Sequence, residues 1–312
     1  MSSFSSENDQ AREDNVLERI AQIVGQRNIP AGEVHIGDDA AVLGPFLGQV
    51  VVSADVAVYG IHLDSELFSL EDLGFKAVTS ALSDLAAMGA HPRGLTVSVS
   101  APPGTDLEEL HRGIALASEA GGCPVVGGDL SGAADTSVAV SVIGEVPRGE
   151  AVLRTGAKNG DQIFVTGALG SASAGLRLRR GGAPLDNELV TAQRRPLARI
   201  NEGIAARESG VSAMMDLSDG IGLDLHRLAS ASNVGFALDQ VPTADGATLQ
   251  EAISGGEDYE LLITTSDPEK LRSTFLQRGL REPISIGRVV SNPASRTLEG
   301  QPFEKLGWQH QL

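Results

Sequence analysis

Two short stretches of the chain alternate cleanly between apolar and polar residues. Leu95, Val97 and Val99 point one way and Thr96, Ser98 and Ser100 the other, and Val138, Val140 and Val142 repeat the pattern. A period of two predicts strands with one buried face, hence a mixed or antiparallel sheet with helices on one side. Val50-Val51-Val52, running into Ser53-Ala54-Asp55, predicts another strand that ends at the acid, and Pro124-Val125-Val126 a short one. Between them the period changes. Over residues 72–89, at about 100° per residue, Ala77, Val78, Ala81, Leu82 and Leu85 form one apolar arc, with Asp84 at its edge beside Leu73. That predicts a helix with Asp72 as N-cap and Gly89 as stop, whose Asp84 looks into a cleft while its neighbours anchor the helix. Helices are also predicted over 16–27 and 106–120.

The polar, turn-rich run Arg154-Thr155-Gly156-Ala157-Lys158-Asn159-Gly160 suits a domain junction. Beyond it the pattern predicts strands at 162–166, 213–217, 235–238, 259–264 and 284–290, and helices at 171–180, 197–209, 219–230 and 268–278. The expected division is a disordered tail over 1–15, an N-terminal domain over 16–150 and a C-terminal domain over 151–312. The fold class is α/β of the α+β type, with mixed sheets and helices packed on one face.

Composition narrows the function. With 312 residues and 41% hydrophobic content the chain can build two cores. Its net charge of −17, from 24 basic and 41 acidic residues, argues against nucleic acid or an anionic membrane as partner. No stretch approaches the roughly 20 apolar residues of a spanning helix, and residues 1–15 lack the features of a signal peptide, so a cytoplasmic protein is expected. Cys123 is the only cysteine, which leaves no intrachain disulfide and no cysteine-rich zinc site; it reads as a buried small hydrophobe.

The acids carry the candidate chemistry. They recur beside small residues at predicted turns and element ends: Gly37-Asp38-Asp39-Ala40, Ser53-Ala54-Asp55, Leu82-Ser83-Asp84, Gly127-Gly128-Asp129, Asp216-Leu217-Ser218-Asp219-Gly220 and Gly256-Glu257-Asp258-Tyr259. Taken singly, each is ordinary turn or capping chemistry, and Asp219 reads equally well as the cap of the following helix. Only the set argues for a site. Neither a Walker A loop nor G-x-G-x-x-G is present, and Gly167-Ala168-Leu169-Gly170-Ser171-Ala172 reads as a tight strand-to-helix turn. G-x-S-x-G and H-E-x-x-H are missing too. At an effective dielectric of about 20, two like charges about 4 Å apart cost roughly 4 kcal/mol, so bare carboxylates would repel a phosphorylated ligand. Magnesium reverses that sign by bridging acids to phosphate oxygens. Calcium binding without catalysis is the alternative the residues leave open, although no EF-hand loop is present.

In this order, Gly37-Asp38-Asp39-Ala40-Ala41-Val42, Asp55 with Gly60-Ile61-His62, the run KAVTSALSDLAAMGAHP over 76–92, Gly127-Gly128-Asp129, Arg154-Thr155-Gly156-Ala157, Asp216-Leu217-Ser218-Asp219-Gly220 and Gly256-Glu257-Asp258-Tyr259-Glu260-Leu261-Leu262 resemble the thiamine-monophosphate kinase family. The match runs from about Gly37 to the C-terminus. It implies a two-domain aminoimidazole-ribonucleotide-synthetase-like fold and a homodimer formed through the N-terminal sheets. Hydrogenase maturation factors and selenophosphate synthetases are relatives, so an ATP-binding maturation factor or a non-catalytic nucleotide-binding homologue is the alternative. The resemblance implies several magnesium ions held by Asp39, Asp55, Asp84, Asp129, Asp216 and Asp219, with Ser53 and the Ala54 carbonyl beside Asp55. It implies ATP contacts from Gly128, Asp129, Arg154 and Ser218, and contacts to thiamine monophosphate from His62, Glu257 and Trp308. Asp38 and Asp258 become supporting positions. The implied reaction is in-line transfer of the ATP γ-phosphoryl group to a phosphate that is already an anion, with no general base. The chain departs from the family pattern at Leu130-Ser131-Gly132, in Val56-Ala57-Val58-Tyr59 and at Gln311-Leu312.

Overall fold

The computed structural model describes residues 7–25 and 29–308, with side chains from residue 15 onward. The first half runs α1 (Glu7–Val24), β1 (Gln49–Val58), α2 (Leu70–Ala87), β2 (His91–Ala101), α3 (Leu107–Ala120), β3 (Val125–Gly132) and β4 (Ser137–Val146). The strands form one sheet in the order β1-β4-β2-β3; β4 pairs antiparallel with β1 and β2, and β3 lies parallel to β2. As the alternation requires, Leu95, Val97, Val99, Val138, Val140 and Val142 are buried in one core with α2 and α3. Those two helices cross closely at glycines. A Cβ on Gly113 would stand 1.8 Å from the carbonyl oxygen of Glu71, so only glycine fits there.

Several expectations shift. Helix α1 begins at Glu7, so residues 7–15 of the expected tail are helical, while 1–6 and the expected helix end at Arg27 lie outside the described residues. The N-cap of α2 is Ser69, not Asp72: Ser69 is extended and its hydroxyl accepts from the Asp72 amide, while the Asp72 carboxylate returns to the Ser69 amide as the N3 partner of a capping box. Gly89 does follow the helix end, in the left-handed conformation. Asp55 sits inside β1 and Asp129 inside β3, not at strand ends, because both ladders continue past them.

The second half runs β5 (Gln162–Val165), α4 (Ser171–Arg180), α5 (Glu188–Arg194), α6 (Ile200–Ser209), β6 (Ala213–Asp216), α7 (Ile221–Ala231), β7 (Gly235–Leu238), α8 (Leu249–Ser254), β8 (Leu261–Thr265), α9 (Pro268–Gln277), β9 (Ile284–Val290), β10 (Arg296–Leu298) and β11 (Gln301–Pro302). Its strands make a mixed sheet in the order β11-β10-β7-β9-β5-β8-β6. This sheet is buried on both faces. Phe164, Leu261 and Ile263 join the first core with α6 and α9, while Ile163, Val165 and Leu262 join a second core with α7. The first core therefore runs across the seam and fixes the two halves against each other. Cys123 is buried, and burial pushes its thiol up to about 12. No described helix is long and apolar enough to cross a membrane.

Candidate active site

A cavity of about 410 Å³ opens at the seam between the halves. Asp55 of β1, Asp84 of α2, Asp216 at the end of β6 and Asp219 in the following turn line it, together with Arg154 and Ser218. His62, Glu257 and Trp308 line it as well.

The acids are held by hydroxyls. Ser53 donates to Asp84 Oδ2 at 2.6 Å, and Ser83 donates to Asp216 Oδ2 at 2.7 Å, tying α2 to β6. Burial pushes the Asp216 carboxyl up to about 7, reinforced by the charge of Asp84. Asp84 is raised by burial, opposed by its Ser53 hydrogen bond and reinforced by Asp55. Among the described residues no three acids or histidines converge as a ready metal cage. The donor set fits magnesium, which keeps several waters, takes one or two carboxylates and reaches substrate phosphates for the rest.

Asp219 does not cap α7. The N-cap is Gly220, without a side-chain bond, and the Asp219 carboxylate accepts from Arg227 Nη1 instead. The same guanidinium donates to the buried Asp224 at 2.7 Å, and Asp224 Oδ2 accepts the Asp219 amide at 2.9 Å. Burial pushes the Asp224 carboxyl up to about 6.

His62 takes the Val58 amide on Nδ1 at 3.0 Å, which places the proton of a neutral ring on Nε2. Glu257 and Tyr259 both have left-handed backbones, with φ of 61° and 50°. Such conformations cost about 1–3 kcal/mol each and persist only where the surroundings enforce them. Here the Glu257 amide donates to the Ser218 carbonyl at 2.7 Å and the Tyr259 amide to the Leu217 carbonyl at 3.0 Å. The Asp258 carboxylate accepts the Gly170 and Ala172 amides at 2.6 and 3.1 Å. The glycine-rich turn over 167–172 thus spends these amides on Asp258, in line with its reading as a structural turn. Glu257 itself meets Lys76 Nζ at 2.7 Å and Gln193 Nε2 at 3.1 Å. Trp308 is 50% exposed at the cavity, its amide on the Asp219 carbonyl at 3.0 Å.

Five implied site residues do not line the cavity. Ser53 stands behind it, reaching it only through its hydrogen bond to Asp84. Asp39 is exposed, with its amide on the Asp38 carboxylate. Ala54, implied only through its carbonyl, turns its side chain to the outer face of the first sheet, opposite Asp55. Gly128 and Asp129 lie on β3, the far edge from β1, and Asp129 pairs with the outward Ser98. Three strand spacings separate those edges by roughly 14 Å. Motif reading also passed over Lys76, Gln193, Ser83 and Arg227. The signal for Lys76 was present, a lysine enclosed by apolar residues within a helix.

Comparison with known proteins places the chain. Residues 37–146 match the model of the AIR synthase related protein N-terminal domain, and residues 158–298 that of the corresponding C-terminal domain. The thiamine-monophosphate kinase of Salmonella typhimurium is 36% identical over 293 residues, covering 88% of this chain and 83% of the relative. That of Mycobacterium tuberculosis is 32% identical, covering 94% and 90%. Among solved structures, the thiamine-monophosphate kinase of Stenotrophomonas maltophilia superposes with a TM-score of 0.79 at 31% identity, covering 91% and 95% of the two chains. The complex of AaThiL with AMPPCP and TMP gives a TM-score of 0.75 at 27% identity, covering 99% and 100%.

Proposed function

This chain belongs to the thiamine-monophosphate kinase family, and we propose that its seam cavity binds ATP and thiamine monophosphate and carries phosphoryl transfer between them. The products are thiamine diphosphate and ADP. The observation that carries this reading is the meeting, in one cavity, of acids from both halves with Arg154, His62, Glu257 and Trp308.

Bound magnesium supplies charge neutralisation between the carboxylates and the phosphate oxygens. Asp55, Asp84, Asp216 and Asp219 would hold it, Ser53 and Ser83 fix two of those acids, and Arg154 and Ser218 face the nucleotide phosphates. His62, Glu257 and Trp308 hold the organic half of the acceptor. The acceptor oxygen is already anionic, so no side chain need remove a proton, and the residues contribute position and fixed charge.

The displaced residues support a homodimer. The outer face of β1 exposes Val50, Val52 and Val56, an apolar stripe on a sheet that carries its helices on the other side. A second copy seated there would cover the stripe, and Gly128 and Asp129 on the far edge strand would reach the site of that copy. We also place the domain boundary near residue 150, between the two sheets, and the protein in the cytoplasm.

The test is incubation of the purified protein with ATP, magnesium and thiamine monophosphate. Formation of thiamine diphosphate is expected; its absence despite measurable ATP binding would favour a non-catalytic homologue, a reading to which the change at Leu130-Ser131-Gly132 points.

A further inference from the structure

Lys76 is among the largest fully buried side chains of the described residues, at 2% exposure, and stands there among phenylalanines, leucines and isoleucines. An ammonium is rarely enclosed without a specific partner, since removing it from water costs more than one ordinary contact returns. Lys76 has two partners. Its Nζ donates to the His62 carbonyl oxygen at 3.0 Å and meets Glu257 Oε1 at 2.7 Å. One side chain of α2 thus grips the loop that carries His62, from the first half, and the loop that carries Glu257, from the second.

The other Glu257 oxygen is also taken. Gln193, on α5, donates its Nε2 to Oε2 at 3.1 Å. The opposite end of that amide, Oε1, is buried with no hydrogen-bond partner among the described residues, an arrangement that folds generally avoid. The amide therefore serves its donor end. Glu257 is fixed through both oxygens and through a left-handed backbone, while it still lines the cavity.

We propose that Lys76 is a positioning residue for substrate selectivity: with Gln193 it locks the Glu257 carboxylate as a rigid acceptor for the amino group of the substrate's pyrimidine ring. Each carboxylate oxygen can accept more than one hydrogen bond, so lone pairs remain for the ligand after Lys76 and Gln193 have bound. An exocyclic amine can donate to such a group. A carbonyl in its place cannot, and it would set its own lone pairs against the carboxylate. Sites built to hold a substrate N–H discriminate strongly against analogues that lack it, because the buried polar group is left unpaired. Discrimination of this kind requires an acceptor that cannot turn away. The inference rests on the reading of Glu257 as a substrate contact.

The experiment measures KM and kcat for thiamine monophosphate, for its 4-oxo analogue and for ATP in the wild type and in Lys76→Met, Gln193→Leu, Glu257→Gln and Lys76→Met/Glu257→Gln, with melting temperature followed throughout. Lys76→Met is expected to raise KM for thiamine monophosphate about tenfold or more, the loss of a charge-assisted contact, while KM for ATP stays put. It should also narrow the preference for the amino over the oxo substrate. Gln193→Leu should move both quantities in the same direction by less. If Lys76 acts through Glu257, the double variant has the same KM as Glu257→Gln alone. A folded Lys76→Met that melts earlier yet keeps the wild-type KM and preference would overturn the proposal and leave Lys76 as a structural tie. Should Lys76→Met fail to fold, the double variant and Gln193→Leu decide: wild-type preference in Gln193→Leu overturns the proposal, and lost preference supports it. Unchanged KM in Glu257→Gln would instead sink the reading of Glu257 as a substrate contact, and no turnover by the wild type would sink the proposed activity itself.

Discussion

Replacing Asp84 by asparagine should have opposite effects with and without magnesium. The substitution keeps the shape and an oxygen for the Ser53 hydroxyl, which sits 2.6 Å from Oδ2, and removes one negative charge. A divalent ion about 4 Å from that charge is held by roughly 8 kcal/mol at an effective dielectric of about 20. Repulsion from a neighbouring carboxylate at about 5 Å is worth roughly 3 kcal/mol under the same conditions, and both Asp55 and Asp216 press on Asp84 in this way. The repulsions are the same with and without the ion and drop out of the binding free energy, so the lost attraction, screened by solvent in the cavity, sets the change and weakens ion binding by at least about tenfold. Without the ion only the repulsion remains, so the metal-free variant should be more stable than the wild type. Solvent reaching the cavity screens much of that term; a gain near 1 kcal/mol would raise the melting temperature by about 2–4 °C. Calorimetric titration with magnesium and thermal melting in chelator measure the two halves. A variant that binds magnesium like the wild type, or that melts earlier in chelator, would refute the reasoning.

Arg227→Gln frees the Asp219 carboxylate from its guanidinium. The pair is partly exposed and worth up to about 1 kcal/mol, so magnesium should bind several-fold more tightly, seen by titration; because the buried Asp224 loses the same partner, the variant should also melt earlier. Trp308 is the single tryptophan of the chain and lines the cavity, so its fluorescence should shift on addition of thiamine monophosphate. Trp308→Ala should raise KM for that substrate by about tenfold, from lost ring contact, with KM for ATP unchanged; an unchanged KM for both would remove Trp308 from the site.

The strands were legible because alternation is a strong signal where one face is buried: Leu95, Val97 and Val99 pack as their spacing requires. Asp84 was legible for the same reason, as an acid at the edge of an apolar arc. The short helices α5 and α8 and the strands β10 and β11 offer too few residues for a period to show. Register was hidden as well. Asp55 and Asp129 look alike in sequence, yet one residue of register and three strands of sheet put them on opposite faces and edges. Ser69 displaced Asp72 as N-cap because the helix begins earlier than its apolar arc does. The grip of Lys76 on His62 and Glu257 joins three distant segments, and only the folded chain brings those together.

Direct transfer is tested best by the stereochemical course of the reaction. ATP whose γ-phosphoryl group is made chiral with oxygen isotopes would be turned over with thiamine monophosphate, and the configuration of the terminal phosphate of thiamine diphosphate determined. One in-line displacement between two substrates held in the same cavity predicts inversion. Retention, which signals two displacements through a phosphorylated side chain, would contradict the account, as would ADP formation with no label in thiamine diphosphate.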